Sequence, residues 1–199
     1  MTKRLIFATG NAGKVREFES MLAPKGIEVV SLKDLENVPT IIEDGATFLE
    51  NATIKAETIA RFYNEPVVAE DSGLTIDFLH GEPGVHSARY AGDHDDDANN
   101  QKVLAKMADV PDDQRQASFH TVIVAIKPNG ERLVTTGRVD GKIMHDLKGN
   151  NGFGYDPLFY YEPFDKRTAE MTVDEKNAIS HRGKALRKFI EQFDAWWED

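Results

Sequence analysis

The chain has 199 residues, no cysteine and a formal net charge of -10. That length buries a full core in about one domain, and the absent thiols exclude disulfides and thiolate metal sites. The acidic balance argues against a general nucleic-acid binder, which needs a basic face, but leaves room for a nucleotide enzyme with a few local cations and a metal. No stretch approaches the about 18 uncharged apolar residues of a membrane span. Met1-Thr2-Lys3-Arg4 leads straight into a short strand rather than a signal-peptide core, so the expectation is a cytoplasmic protein with no membrane partner.

Leu5-Ile6-Phe7-Ala8 reads as a buried strand, and Val15, Phe18, Met21 and Leu22 fall on one face of a following helix. Between them lies a glycine-rich turn, Thr9-Gly10-Asn11-Ala12-Gly13-Lys14. Such a turn lets the backbone approach a ligand, and the helix start offers free N–H groups and the positive end of its dipole. Lys14 adds a charge where a lysine does nothing for the helix itself. A phosphate would explain this, as would an ordinary tight turn with a solvated lysine. The spacing is not that of a P-loop, because too few residues separate Gly10 from Gly13 and Val15 follows Lys14.

Residues 27–30 form a short strand, and Thr47 with Glu50 has capping-box spacing at the start of a helix. Phe48, Ala52, Ala56 and Ile59 give that helix its apolar face. Residues 67–69 read as one strand, and Leu74, Ile76 and Phe78, alternating with Thr75 and Asp77, as another. Residues 80–97 are mostly loop, and Val103, Leu104 and Met107 mark a helix of about three turns. Residues 119–126 and 131–139 flank Lys127-Pro128-Asn129-Gly130, a hairpin signal. A second glycine-rich loop runs over 149–155, followed by a strand over 157–161. Thr172 and Glu175 repeat the capping-box spacing, and the last helix turns Leu186, Phe189, Ile190 and Phe193 inward. No repeat or linker divides residues 1–199, which read as one α/β or α+β domain with a mixed sheet.

Two acidic groups stand beside glycines. Glu70-Asp71-Ser72-Gly73 lies between two strand-like segments, and Glu43-Asp44-Gly45 precedes the second helix. Hard oxygen donors of this kind suit Mg2+, and one of them could orient or deprotonate a water. Each is also an ordinary turn or cap carboxylate. The run Asp93, Asp95, Asp96, Asp97 fails the calcium-loop spacing and reads as a solvated loop and helix start. Ser180-His181-Arg182-Gly183 opens the final helix with cations at its positive end, against local stability, which a polyanionic ligand would resolve. Lys184, Arg187 and Lys188 read as a solvated face, and Lys55 either reaches phosphate or pairs with an acidic neighbour. In Phe153-Gly154-Tyr155-Asp156, Phe153 could stack on a base, Tyr155 could pack beside it and Asp156 could read a ring N–H; a turn with core aromatics is the other reading. His86, His94, His120 and His145 have no metal-ligand spacing.

In order, residues 9–14, Glu43-Asp-Gly with Glu50-Asn51-Ala52, Glu70-Asp-Ser-Gly73, Ser87-Ala-Arg-Tyr90, Phe153-Gly-Tyr-Asp156 and Ser180-His-Arg-Gly183 closely resemble the noncanonical purine nucleoside triphosphate pyrophosphatases, the ITPase family. The match spans roughly residues 4–190. Two positions depart from the common pattern: Glu70, where many members carry aspartate, and Asn150-Asn151. The resemblance implies a two-lobed α/β molecule with an elongated mixed sheet flanked by helices and a cleft between lobes. It also implies a Mg2+-dependent homodimer that splits ITP, dITP and XTP into monophosphate and pyrophosphate. By motif position, Thr9 to Lys14 would bind phosphates, Asp71 would be the catalytic base, and Glu43 with Asp71 would hold the metal. Ser72, Phe153, Gly154, Tyr155, Asp156, Lys176, His181 and Arg182 would form the substrate pocket. Lys14 and Lys176 would then stabilise the departing pyrophosphate. His181 and Arg182 would donate to the C6 oxygen of inosine or xanthine, which adenine lacks.

Overall fold

The computed structural model describes residues 3–93 and 95–198, so His94 falls outside the described residues. Seven strands form one hydrogen-bonded mixed sheet: β1 (Lys3–Phe7), β2 (Ile27–Ser31), β3 (Val67–Ile76), β4 (Gln116–Ile126), β5 (Arg132–Ile143), β6 (Phe159–Tyr161) and β7 (Lys166–Arg167), in the order β2-β1-β3-β4-β5-β6-β7. β1 runs parallel to β2 and β3, with Leu5 opposite Val29 and Ile6 opposite Val67. β6 runs antiparallel to β5 and β7, with Phe159 opposite Ile143. The helices are α1 (Ala12–Leu22), α2 (Phe48–Tyr63), α3 (Asp96–Lys106), α4 (Val173–Ile179) and α5 (His181–Glu198).

The chain divides into two compact units. The first holds Met1–Asp71, Val122–Thr135 and Leu186–Asp199, and the second holds Ser72–Thr121 and Thr136–Ala185. Each unit is assembled from separate stretches of chain.

Alternation along β1 builds the first unit. On one face Ile6 joins Val67, Ala69, Val122, Val124 and Ile126 against Ala52, Ala56 and Ile59 of α2. Three of α2's inward positions (Ala52, Ala56, Ala60) are alanine at four-residue spacing, which lets the helix axis come close to the sheet. On the other face Phe7 meets Phe18 of α1 at 4.3 Å, Phe18 meets Phe189 of α5 at 5.5 Å, and the aromatic chain continues to Phe193 and Trp196. Each such side chain contributes about 1.5–3 kcal/mol on burial. Trp196 is therefore core, and Trp197 stacks on Phe193.

In the second unit α3 turns Val103 and Met107 onto Leu74, Ile76, Phe119, Val139, Ile143 and Phe159. The guanidinium of buried Arg115 donates to the carbonyls of Met107, Val110, Ile143 and Met144, closing the C-terminal end of α3.

Both expected capping boxes form, Thr47 with Glu50 and Thr172 with Glu175. The expected hairpin closes with Lys127 N–H on Glu131 O. One expectation fails. Residues 67–69 and 74–78 are not two strands around a glycine turn. β3 is continuous through Glu70, Asp71 and Gly73, and Phe78 falls in a single turn of 3₁₀ helix beyond it. The carboxylates survive inside a strand because each has its own lysine. The strand expected over 157–161 begins at Phe159, because Leu158 and Phe159 first close a turn on the carbonyl of Tyr155.

Candidate active site

In the first unit, residues 43–47 are pinned to the start of α2. Glu50 Oε2 accepts from the N–H groups of Ala46 and Thr47, and Asn51 Oδ1 accepts from Gly45 N–H at 2.9 Å. A Cβ on Gly45 would lie 2.7 Å from Asn51 Oδ1 and from Glu50 Cβ, so only glycine permits this approach. Asn51 is 1% exposed. Lys55 stands one helical turn further along the same face. Its Nζ lies 2.8 Å from Glu43 Oε2 and 3.2 Å from Asp71 Oδ1. One ammonium thus bridges two carboxylates brought together from a loop and a strand. Of the two readings of Lys55, pairing with acidic neighbours is the one realised.

Burial pushes the Asp71 carboxyl above the ordinary carboxylate value, the charge and hydrogen bond of Lys55 oppose that rise, and Glu43 adds to it. Asp71 Oδ2 is buried, and no group among the described residues bonds it with hydrogen-bond geometry. A hydrogen-bonding pull from Asn51, the smallest of these causes, lowers the pKa. An orphaned buried carboxylate oxygen calls for a cation or a water. Among the described residues no group of three or more acidic, histidine or cysteine side chains could hold a metal. Two hard carboxylates fit an ion that keeps waters and substrate oxygens in its shell, which is the habit of Mg2+. The donor set therefore fits that metal.

The glycine turn sits at the end of β1. Asn11 caps α1, its Oδ1 accepting from Gly13 N–H at 2.9 Å and Lys14 N–H at 3.2 Å, while Thr9 Oγ1 accepts from Asn11 N–H. Those two first-turn donors are thus engaged rather than free, contrary to expectation. The physical reason is that a helix start satisfies its orphan N–H groups with the nearest side-chain oxygen. Ala12 and Gly13 are exposed, and neither Gly10 nor Gly13 has a positive φ, so these glycines supply room rather than an unusual backbone. Lys14 Nζ lies 2.9 Å from Oε1 of Glu70.

In the second unit, the 153–156 loop carries an aromatic that is 72% exposed, Phe153, with Lys176 Nζ 4.8 Å from its ring centroid. Asp156 is 3% exposed and is committed internally. Its carboxylate accepts from Phe153 N–H at 2.9 Å, from Thr168 Oγ1 at 2.9 Å and from Lys176. This differs from the expectation that Asp156 reads a ring N–H, because a carboxylate so deeply buried must collect its donors from the protein. Lys176 is likewise grouped with the aromatic loop. Tyr155 is core, its hydroxyl donating to Ser87 O at 2.7 Å. His181 stacks on Phe119 at 4.9 Å, and Ser180 Oγ caps the first turn of α5 at Gly183 N–H. Arg182 is half-buried in that turn, and Ser72 is half-buried in β3. Sequence reasoning leaves Asn51, Ser87, Asn100 and Thr168 without roles, although the first two stand inside quoted motifs, and it reads Asp96 as part of a solvated loop and helix start.

The sequence model of the Ham1 family matches residues 5–192. A dITP/XTP pyrophosphatase of Lactiplantibacillus plantarum is 54% identical over 199 residues, covering 99% of this chain and 98% of its own. A dITP/XTP pyrophosphatase of Geobacillus kaustophilus is 48% identical over 193 residues, covering 96% and 95%. The solved structure of the Staphylococcus aureus Ham1 protein superposes with a TM-score of 0.91 at 38% identity, covering 97% of this chain and 99% of that one.

Proposed function

The chain belongs to the Ham1 family, and from that premise we propose that it is a nucleoside triphosphate pyrophosphatase converting ITP, dITP and XTP to the monophosphate and pyrophosphate with Mg2+. Its role in the cell is to clear aberrant purines before they enter DNA or RNA. The observation that carries the reading is the Glu43–Lys55–Asp71 cluster with its unmatched, buried Asp71 oxygen.

Asp71 orients water for in-line attack on the α-phosphorus and accepts its proton late in the step. Its raised pKa makes it a better acceptor than a free aspartate. When bound by Glu43 and Asp71, Mg2+ supplies charge neutralisation at the phosphate oxygens. Thr9, Gly10, Asn11, Ala12, Gly13 and Lys14 are assigned to the triphosphate, whose oxygens take over the Gly13 and Lys14 N–H groups from Asn11 Oδ1. Phe153 offers a stacking face for the purine, and Gly154, Tyr155 and Asp156 hold that face in place. Lys176, paired with Asp156, is assigned to the base rather than to the leaving pyrophosphate. Ser72 contributes to the same pocket. His181 and Arg182 donate to the C6 oxygen, and an adenine amino group there leaves those donors unpaired. We assign the working form to a cytoplasmic homodimer on the resemblance drawn above, and a monomer by sedimentation at micromolar concentration would refute that part.

Incubation with ITP and Mg2+, followed by identification of the phosphate product, tests the activity. Pyrophosphate is expected; orthophosphate or no product rejects it. Asp71→Asn is expected to abolish turnover while sparing nucleotide binding, and an active variant would remove Asp71 from its role.

A further inference from the structure

Resting on the reading of Phe153 as the base-stacking face, we infer that Asp96 and Asn100 of α3 are positioning residues that fix the 153–156 loop and thereby set base selectivity. Asp96 Oδ2 accepts from Gly154 N–H at 2.7 Å, and Asn100 Nδ2 donates to Gly154 O at 2.8 Å. The two side chains are four residues apart, so they share one face of α3. They grip both peptide groups flanking Gly154.

That grip has a physical purpose. Gly154 has a φ of 61°, and nothing lies within 4 Å of a Cβ placed there. The local packing therefore does not hold it, and a glycine left to itself samples many backbone states. Phe153 is mostly exposed, so its ring takes its direction from the backbone that mounts it. Asp156 holds Phe153 N–H, Ser87 O holds the Tyr155 hydroxyl, and α3 supplies the restraint on the residue between.

Neither residue is needed merely to form α3. Asp95 already caps the helix, accepting from Ala98 N–H. Asn100 is 3% exposed, and its Nδ2 serves Asp96 O and Gly154 O while its Oδ1 is buried with no hydrogen-bond partner among the described residues. A buried amide with an unmatched oxygen is costly, so its donors are what the site uses.

The test compares Asp96→Ala, Asp96→Asn and Asp97→Ala. Steady-state kinetics with ITP and ATP are read beside inhibition by inorganic tripolyphosphate, which has no base, and beside hydrogen exchange at residues 152–156. Asp96→Ala is expected to raise the KM for ITP about three- to tenfold with kcat within about twofold, the loss expected for one solvent-exposed hydrogen bond. It is also expected to narrow the preference for ITP over ATP, speed exchange in the loop and leave tripolyphosphate inhibition unchanged. Asp96→Asn keeps an acceptor for Gly154 N–H and retains most of the wild-type behaviour, while Asp97→Ala, which removes the same charge one residue away, matches the wild type. A wild-type KM and wild-type exchange in Asp96→Ala would overturn the inference, as would an equal effect in Asp97→Ala or an equal loss of tripolyphosphate inhibition. The wild-type ITP assay tests the activity separately, and exchange in the loop decides the clamp whatever that assay returns.

Discussion

Lys14 Nζ lies 2.9 Å from Oε1 of Glu70, and the partners differ sharply in solvent access, the lysine side chain being 22% exposed and the glutamate 1%. Removing the lysine takes an ammonium from a carboxylate that is almost fully buried. Removing the carboxylate leaves an ammonium that can still reach solvent. Lys14→Met should therefore cost about 2 kcal/mol, the loss of one charged contact at a buried carboxylate, and Glu70→Gln about 1 kcal/mol. The double variant should cost less than the sum, since the two are in contact. Denaturant unfolding of the four proteins measures all three quantities, and equal single costs would contradict the asymmetry.

Lys55 neutralises Glu43 and Asp71 together. In Lys55→Met those carboxylates face each other without a counter-charge, which destabilises the metal-free protein. A divalent cation held by the same oxygens should replace the missing charge. Added Mg2+ is expected to raise the melting temperature of Lys55→Met more than that of the wild type, by the linkage of binding to folding. Scanning calorimetry with and without chelator reads this directly. A smaller Mg2+ response in the variant would place the ion elsewhere.

Much of this fold is legible in the sequence where the governing interaction is local. The change of period at residues 9–14, the two capping boxes and the 127–130 hairpin are each set within a few residues, and each forms. β3 misleads because Glu70, Asp71 and Gly73 look like a turn, and the lysines that make a charged strand tolerable come from α1 and α2. Asp96 misleads for the same reason. A run of aspartates at a helix start looks solvated, and the amide it accepts from lies 58 residues along the chain. The candidate residues themselves were identifiable as an ordered set. Tyr155 as a core aromatic is one of the two readings of its loop, whereas the internal commitment of Asp156 is not legible, because burial is a tertiary property.

His120 provides a pH signature in the second unit. Its Nε2 lies 3.0 Å from Thr75 Oγ1, on a polar sheet face with Ser118, Arg138 and Asp140. Burial first, and then the positive charge of Arg138, hold its pKa below the ordinary 6.5, with Asp140 opposing. As pH falls through 6.5, the unfolded chain binds the proton before the folded one does. Stability is therefore present above that value and declines between 6.5 and the lower folded value. His120→Gln keeps a polar partner for Thr75 and removes the titration. The stability difference between about pH 7.5 and 5.5 should be smaller in this variant than in the wild type. Urea unfolding at the two pH values gives the comparison, and an unchanged or steeper slope would refute it.

Gly137 of β5 sits directly under the start of α5. A Cβ there would lie 1.8 Å from His181 O and 2.7 Å from Ala185 N, both backbone atoms that no rotamer change can move aside. Helix and strand must separate to admit a methyl group, and the first turn that carries His181 and Arg182 would move with them. Gly137→Ala should therefore cost about 3 kcal/mol, or roughly 6–12 °C in Tm. Gly130→Ala is the control: its φ is 90° and nothing lies within 4 Å of the added Cβ, so only backbone strain is incurred. That strain should cost about 1 kcal/mol. If the activity is as proposed, Gly137→Ala also loses preference for ITP over ATP, because the displaced turn holds the donors assigned to the C6 oxygen, whereas Gly130→Ala keeps that preference. Thermal melts and paired ITP and ATP assays of the two variants decide it: equal melting shifts would mean that the strand and the helix start yield more easily than their spacing implies.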